Sequence, residues 1–452
     1  MDELNKQTYI VESIDLTHDA FGVCKLEDGY TVFVEDMLKG EKAEIIVTER
    51  KSNYGFGKVV NMLDKSPYRV SPKCQHYYEC GGCGLMHMEY ELQLAFKKYR
   101  IETTLKRQGI PAVLVQDMVE MAIPYYYRNK IEVKFQPGEK GIEAGFFQAK
   151  SHKLVNLQEC HIMTKRSMDL IILIKNVFNE LKIPAYSENH RTGVLKSAVI
   201  RETWKTKQMS LLFQTTESLG DLGAVVVRKL TAKIPELVSI ALSKSNDPSS
   251  LSTDDIELLH GEPVMIDSIG DLNFSIGYRS FFQVNPIQTE KLYQKALEYA
   301  ALTGKERVID AYCGIGTISL FVAKHAAKVF GIEIVKSAIQ DARKNAEMNN
   351  IKNAFFEVGE ADKVIQKWLK YKFDVIFVDP PRKGCEKALL DQIIEMKIPR
   401  VVYISCDQAT LARDLKILID GGYEVKEITP FDMFPQTTSV ESVTLLVRKT
   451  QA

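Results

Sequence analysis

The last third of the chain carries the tightest constraint on its fold. From about Leu302, short apolar runs at Val308–Asp310, Lys328–Glu333, Asp374–Val378 and Val401–Ser405 alternate with helical segments. Strands joined through helices return in the same direction, so the pattern predicts a doubly wound, Rossmann-like parallel sheet. Ligands of such sheets bind at the carboxyl ends of the strands. The residues that close these four runs are therefore the first functional candidates.

The first run leads into "VIDAYCGIGTISL" (308–320), a strand, a glycine turn and a helix. Gly314 and Gly316 allow the backbone to approach a ligand closely, and Glu333, closing the next run, can accept hydrogen bonds from ribose hydroxyls. A tight turn with no ligand is the alternative. A dinucleotide fingerprint would need a third glycine where Ser319 stands, which disfavours it. The third run, in "FDVIFVDPPRKG" (373–384), ends on Asp379, Pro380 and Pro381. Proline fixes its own backbone and restrains its predecessor, so this corner is stiff. It can hold a planar base beside a cofactor, or be a plain strand-end turn. Together these features favour an S-adenosylmethionine-dependent methyltransferase over a dehydrogenase.

The fourth run ends in "ISCDQATLARDL" (404–415). Cys406 lies just ahead of a helix over Ala409–Asp420, stopped by Gly421 and Gly422, and Asp407 can cap it. A thiol at the positive end of a helix is favoured as thiolate, although the charge of Asp407 opposes that effect. The alternative is a small core cysteine. Glu441 stands where a loop enters the final strand, either as part of the same edge or as a solvent-facing charge. A thiolate and a carboxylate beside a methyl donor suggest one chemistry. The thiolate adds to C6 of uracil, C5 takes the methyl group, a base removes the C5 proton, and the cysteine is eliminated.

The rest of the chain divides in two. Runs at Thr8–Ile14, Tyr30–Val34, Ala43–Val47 and Gly57–Val60, with turns at Asp28–Gly29 and Lys39–Gly40, suit a small β-barrel ending near Pro67 and Pro72. Met88–Gln108 reads as an amphipathic helix with Leu92, Leu94, Tyr99, Ile101 and Leu105, stopped by Gly109. Residues 124–260 are mixed. Ile131–Phe135, Val194–Arg201 and Met209–Phe213 are strand-like, Lys165–Leu181 and Gly220–Ile234 are helical, and 243–255 is a polar loop. Cys74, Cys80 and Cys83 form C-x5-C-x2-C, with Cys160 far downstream. Four thiolates suit tetrahedral zinc or a four-iron cluster, and the uneven spacing leans toward iron–sulfur. His76 and His161 are alternative ligands. Basic and aromatic residues gather at Arg191, Lys196, Arg201, Trp204, Lys205 and Lys207, at Tyr125–Arg128 with Lys130, and at Arg50, Lys51, Tyr54 and Lys58. These suit unpaired RNA, or are solvated strand faces and core tyrosines. Lysine plus arginine and aspartate plus glutamate both number 59, so an RNA surface must be a local patch. The polar, acidic N-terminus and the lack of a long apolar run point to a cytoplasmic chain without a membrane span.

Four motifs, "YRSFFQVNPIQTEKLY" (278–293), "VDPPRKG", "ISCDQATLARDL" and "FPQTTSVESV", resemble the RNA (uracil-C5)-methyltransferase family. "CGGCGLMHMEYELQLAFKK" (80–98) resembles its ribosomal-RNA branch, and the opening barrel resembles a TRAM domain. The resemblance implies a TRAM barrel over 1–63, a central α+β domain over 64–272 and a methyltransferase domain over 273–452, with the helix near 88–109 packing on the last. It implies Cys406 as nucleophile and Glu441 as proton acceptor. It also implies S-adenosylmethionine contacts from Gln283, Tyr312, Glu333 and Asp379 beside the glycine turn, and a [4Fe-4S] cluster on Cys74, Cys80, Cys83 and Cys160. Thr317 stands where some members carry asparagine and is a further contact by position. The implied substrate is 23S ribosomal RNA, with transfer RNA as the rival and a monomer as the working state. The chain departs from the family at Asp407–Gln408, where Asn-Pro is frequent, and at Ser439, where histidine is frequent. Amino-group methylation fits less well, because Arg382 rather than an aromatic follows Asp-Pro-Pro. A non-catalytic RNA-binding module is the reading from another class.

Overall fold

The computed structural model describes residues 7–110, 113–244 and 256–449. Five strands, β1 (Thr8–Leu16), β2 (Gly22–Lys25), β3 (Thr31–Val34), β4 (Lys42–Arg50) and β5 (Tyr54–Asp64), close into a barrel in the order β1-β2-β3-β5-β4. Alternation drives closure: Val11, Cys24, Val32, Val34, Ala43 and Ile45 point inward and are buried. Gly29 and Gly40 make their turns with positive φ. Beyond the barrel, Arg69 returns to Glu41, with Nε 2.5 Å from Oε1.

Helix α1 (Tyr90–Arg107) and the short β6 (Leu114–Val115) follow, and β6 joins the edge of the last sheet of the chain. The expected apolar face of α1 is only partly the buried one. Phe96, Ile101 and Leu105 are buried, but so are Gln93 and Lys97, while Tyr99 is exposed.

The central domain is a seven-stranded sheet in the order β13-β12-β11-β10-β7-β8-β9. Its elements are β7 (Lys130–Gly138), β8 (Gly141–Phe147), β9 (Leu154–Asn156), α2 (Lys165–Glu180), β10 (Leu195–Glu202), β11 (Met209–Thr215), α3 (Asp221–Thr231), β12 (Leu237–Lys244) and β13 (Ile256–Gly261). Helices α2 and α3 share one apolar core with the sheet. Of the expected loop 243–255, Ser243 and Lys244 end β12, and the remainder lies outside the described residues.

A hairpin of β14 (Val264–Ile269) and β15 (Leu272–Gly277) straddles residue 272 and docks onto the last domain, where Asn345 and Asn349 accept from Ser275 and Asn273 N–H at 2.8 and 2.9 Å. That domain comprises α4 (Pro286–Ala300), β16 (Arg307–Asp310), α5 (Thr317–Ala323), β17 (Lys328–Glu333), α6 (Lys336–Met348), β18 (Ala354–Val358), α7 (Ala361–Gln366), β19 (Val375–Val378), α8 (Lys387–Glu395), β20 (Arg400–Ser405), α9 (Gln408–Asp420), β21 (Tyr423–Phe431) and β22 (Glu441–Arg448). The sheet order is β18-β17-β16-β19-β20-β22-β21-β6, parallel from β18 to β20 and antiparallel across β20, β22 and β21. Strands covered on both faces need apolar runs without alternation, and β19 reads Val-Ile-Phe-Val, all buried. Strand order reverses between β16 and β19, which opens a crevice at their carboxyl ends.

Candidate active site

Strand register brings the candidate catalytic pair together. Antiparallel β20 and β22 pair Ser405 with Ser442, so the next step outward sets Cys406 beside Glu441. Asp379 follows β19, the parallel neighbour of β20. All three line one large cleft of about 1640 Å³. Asp407 caps α9, its Oδ1 accepting from Thr410 N–H at 2.9 Å. Gln408 donates from Nε2 to the Val440 carbonyl at 3.0 Å, tying the residue before Glu441 to the helix that follows Cys406.

Electrostatics at this edge run against the expected thiolate. Burial pushes the Cys406 thiol up to about 11, and the Glu441 and Asp379 carboxyls push the same way. Arg382 opposes them. Placement at the head of α9 does not outweigh desolvation beside two acids. Glu441 is itself raised, by burial and then by Asp379, with Arg382 pulling it down, and Asp379 is raised by burial and then by Asp310. Two carboxyls facing one space cannot both ionise freely, so the pair holds a proton near neutrality.

Two residues here escape a reading of the sequence. Arg382 bears on both Cys406 and Glu441, and its signal is a cation immediately past a rigid strand-end corner, with Lys383 next to it. Phe281 stands on the cleft rim 68% exposed, while its neighbour Phe282 is buried. Only the backbone path tells these two apart.

Gln283, Tyr312, Gly314 and Glu333 line the same cleft. Glu333 is fixed between two amides, Gly314 N–H at 3.3 Å and Val335 N–H at 2.9 Å. Gly314 has φ +53°, and an added Cβ would meet nothing within 4 Å, so the space in front of the turn is open. A fixed carboxylate beside an open glycine turn fits the ribose and backbone contacts of S-adenosylmethionine. Gly316 and Thr317 do not line the cleft. Gly316 (φ +87°) starts α5 against Ala342 and Phe356, and the Thr317 hydroxyl bonds Tyr293 Oη at 2.9 Å. The Thr317 side chain is half-buried, with its hydroxyl engaged by Tyr293.

Comparison with known proteins decides the family. A tRNA (uracil-5-)-methyltransferase model matches residues 268–449, and a TRAM domain model matches residues 6–60. An uncharacterized RNA methyltransferase of Halalkalibacterium halodurans is 44% identical over 451 residues, 99% of this chain and 98% of the relative. The chain belongs to the RNA (uracil-5-)-methyltransferase family. A Listeria innocua relative, also described as an uncharacterized RNA methyltransferase, is 43% identical over 96% of each chain. Among solved structures, the Pyrococcus abyssi tRNA (uracil-54, C5)-methyltransferase in complex with S-adenosyl-L-homocysteine superposes with a TM-score of 0.77, at 31% identity, covering 97% of this chain and 99% of that one. The protein is an S-adenosylmethionine-dependent RNA methyltransferase with an N-terminal TRAM barrel. No helix among the described residues is long and apolar enough to cross a membrane.

The other expected sites of this methyltransferase fare differently. Cys74, Cys80, Cys83 and Cys160 are free thiols around one small pocket, each raised first by burial. Among the described residues, no three such donors stand close enough to hold a single ion. The two histidines make other contacts, although His161 also lines this pocket. His76 Nε2 accepts from Gln158 N–H at 3.2 Å, and His161 meets Tyr126 Oη at 2.9 Å and Glu159 at 3.3 Å. The expected RNA surface loses two members to the interior. Arg201 is buried and donates to the Ser280 carbonyl at 2.7 Å, joining the central domain to the loop of Phe281 and Gln283. Tyr127 is buried and donates to the Pro435 carbonyl at 3.0 Å. Arg191, Lys205 and Lys207 remain exposed, with Lys207 4.2 Å from the Trp204 ring centroid. On the barrel, Arg50 lies over Tyr30 and Lys51 over Tyr54.

Proposed function

We propose that this enzyme methylates C5 of a uridine in 23S ribosomal RNA through a covalent bond between Cys406 and C6, giving 5-methyluridine. The observation that carries the reading is the register of β20 and β22, which sets a thiol and a carboxyl side by side on the edge facing the cofactor cleft. Cys406 gives its thiol proton to solvent in the cleft and adds to C6 as the thiolate, and C5 gains the electron density it lacks in the free base. S-adenosylmethionine supplies the methyl group that C5 takes. Glu441 then accepts the C5 proton, the C–H electron pair restores the C5–C6 double bond, and the Cys406 sulfur leaves. Glu441 accepts in its ionised form, which Arg382 favours, while the proton shared by the carboxyl pair resides on Asp379. Arg382 stabilises the thiolate, and exposed Phe281 offers a face on which an unpaired base can stack. The functional units are the barrel (1–63), the central domain (64–272) and the methyltransferase domain (273–452), with the Arg191–Lys207 patch and the barrel's Arg50–Tyr54 turn contacting RNA.

We propose that the four cysteines, which line one small pocket, hold a [4Fe-4S] cluster, whose thiolates each bind a separate iron. Such a cluster would cross-link the 74–83 segment to Cys160. The methylation needs no electron transfer, so its part is structural. Anaerobic purification should give a brown protein containing iron, and stoichiometric zinc without iron would reject the cluster.

Transfer RNA is the second reading, favoured by the name of the Pyrococcus abyssi enzyme. Mapping 5-methyluridine in ribosomal and transfer RNA from cells lacking this protein separates the two. Cys406→Ala should abolish methyl transfer, and wild type should form a stable complex with 5-fluorouridine RNA. Turnover by the alanine variant would remove the covalent mechanism.

A further inference from the structure

The loop that leads into Glu441, residues 432–440, is held from two directions, and both meet at Gln436. From one side comes a polar stripe on α1. Tyr90, Gln93, Lys97 and Arg100 are spaced to share one helix face. Tyr90 Oη donates to Asp432 at 2.8 Å, Lys97 Nζ pairs with Asp432 at 2.5 Å, and Arg100 donates to the Thr438 carbonyl. Gln93 grips Gln436 twice: its Oε1 accepts from Gln436 N–H at 3.1 Å, and its Nε2 donates to Gln436 Oε1 at 3.0 Å. From the other side comes the cysteine segment. Directly after Cys83, the N–H groups of Gly84 and Leu85 both donate to the Gln436 carbonyl, at 3.1 and 3.0 Å.

Gln436 itself is 1% exposed and holds φ +70°, a left-handed conformation that a glutamine adopts only when its surroundings impose it. Its N–H, carbonyl and side-chain oxygen are all engaged, in a loop that would otherwise be free to take many paths.

We infer that Gln436 is a positioning residue for the proton acceptor, with Gln93 of α1 and the segment after Cys83 clamping its backbone so that Glu441 enters β22 facing Cys406. This rests on reading Glu441 as the group that removes the C5 proton. The clamp acts after methyl transfer. With the loop displaced, Cys406 still adds to C6 and C5 still takes the methyl group, but the C5 proton is removed slowly, so the C5–C6 double bond does not reform and the sulfur stays attached. The cysteine segment, which also lines the cleft at Cys80–Gly84, thereby has a part in the reaction: it fixes one side of the clamp.

The test separates methyl transfer from release. Total RNA from cells lacking the enzyme is incubated with methyl-labelled S-adenosylmethionine, and label is followed both in free RNA and in protein–RNA complexes that survive denaturing detergent. Two variants are compared with wild type and with Glu441→Gln. Gln93→Ala removes the side-chain grip. Gln436→Asn keeps a residue tolerant of the left-handed backbone and keeps the bonds from Gly84 and Leu85, so it guards against misfolding of the first. Both should bind S-adenosylhomocysteine as wild type does and transfer methyl at nearly its rate. Gln436→Asn should release product roughly tenfold more slowly, about what one lost buried hydrogen bond is worth, and Gln93→Ala, which loses both bonds to Gln436, at least as slowly, and both should accumulate labelled adduct. Release at the wild-type rate would overturn the proposal, as would transfer and release falling together, which mere structural damage gives. If Glu441→Gln itself accumulates no adduct, the proton-acceptor reading fails. If it does while both glutamine variants release normally, only the clamp fails.

Discussion

The ion pair of Lys97 with Asp432 is the most exacting test of how α1 is bound to the methyltransferase domain. Both side chains have no solvent exposure, and Nζ lies 2.5 Å from Oδ1. At an effective dielectric constant of about 20, attraction across that distance is about 7 kcal/mol. Desolvation of two charges takes back several kcal/mol, so the pair is close to neutral against an apolar replacement of both partners, while removal of one partner strands the other. Lys97→Met keeps the length of the side chain and leaves the Asp432 carboxylate with Tyr90 as its remaining side-chain partner, at 2.8 Å. The expected loss is about 3 kcal/mol, at the low end of the range for a broken buried pair because the Tyr90 bond survives. Adding Asp432→Asn should recover most of it. Urea unfolding followed by tryptophan fluorescence reads this out, because Trp368 packs edge-on to Phe330 in the same domain. A single-variant loss under about 1 kcal/mol, or a double variant no better than the single one, would refute the claim that a compact, charged pair anchors the helix.

Three further outcomes are expected. In ligand-free enzyme, iodoacetamide should modify Cys406 about a hundredfold more slowly than the thiolate fraction of an unperturbed cysteine allows, since a shift from 9.0 to about 11 is two decades; the rate, read by mass spectrometry of its peptide, should climb with pH without a plateau below about 10, and a plateau below pH 8 would contradict the raised thiol. Burial pushes Glu41 up, but the Arg69 bond and the Leu38 and Ser66 amides outweigh it, so its carboxyl lies below the usual range. Its stabilisation is complete above the unfolded value near 4.5 and is lost as pH falls through the folded value. Glu41→Gln should therefore cost about 2 kcal/mol at pH 7 and progressively less in acid, and a gap independent of pH would show that the charge plays no part. Gly314→Ala should weaken S-adenosylhomocysteine binding by roughly tenfold or more, because its Cβ enters the open space before the turn, while left-handed strain lowers stability by only about 1 kcal/mol; titration calorimetry and thermal unfolding of the same sample separate the two.

What the sequence disclosed follows from the range over which its signals act. The ends of β16, β17, β19 and β20 were legible because a parallel sheet gathers the carboxyl ends of successive strands at one edge, wherever the helices between them run. Glu441 was legible as a residue at a strand entry, but not that β22 would insert between β20 and β21 and so face Cys406, since that depends on an antiparallel register no local pattern records. The charge of Arg201 was legible, yet its burial was decided by the loop around Ser280, which packs over the end of β10. Stripe α1 was misread for the same reason in reverse. Its period was visible, but a helix face that carries glutamine and lysine looks like a solvent face until the loop from Asp432 to Thr438 supplies partners for each polar group. Those buried polar groups fix a geometry that an apolar face would leave freer to slide, because every hydrogen bond specifies a direction as well as a contact. A helix whose task was only to cover the sheet would have no use for them; one that must set the approach to Glu441 does.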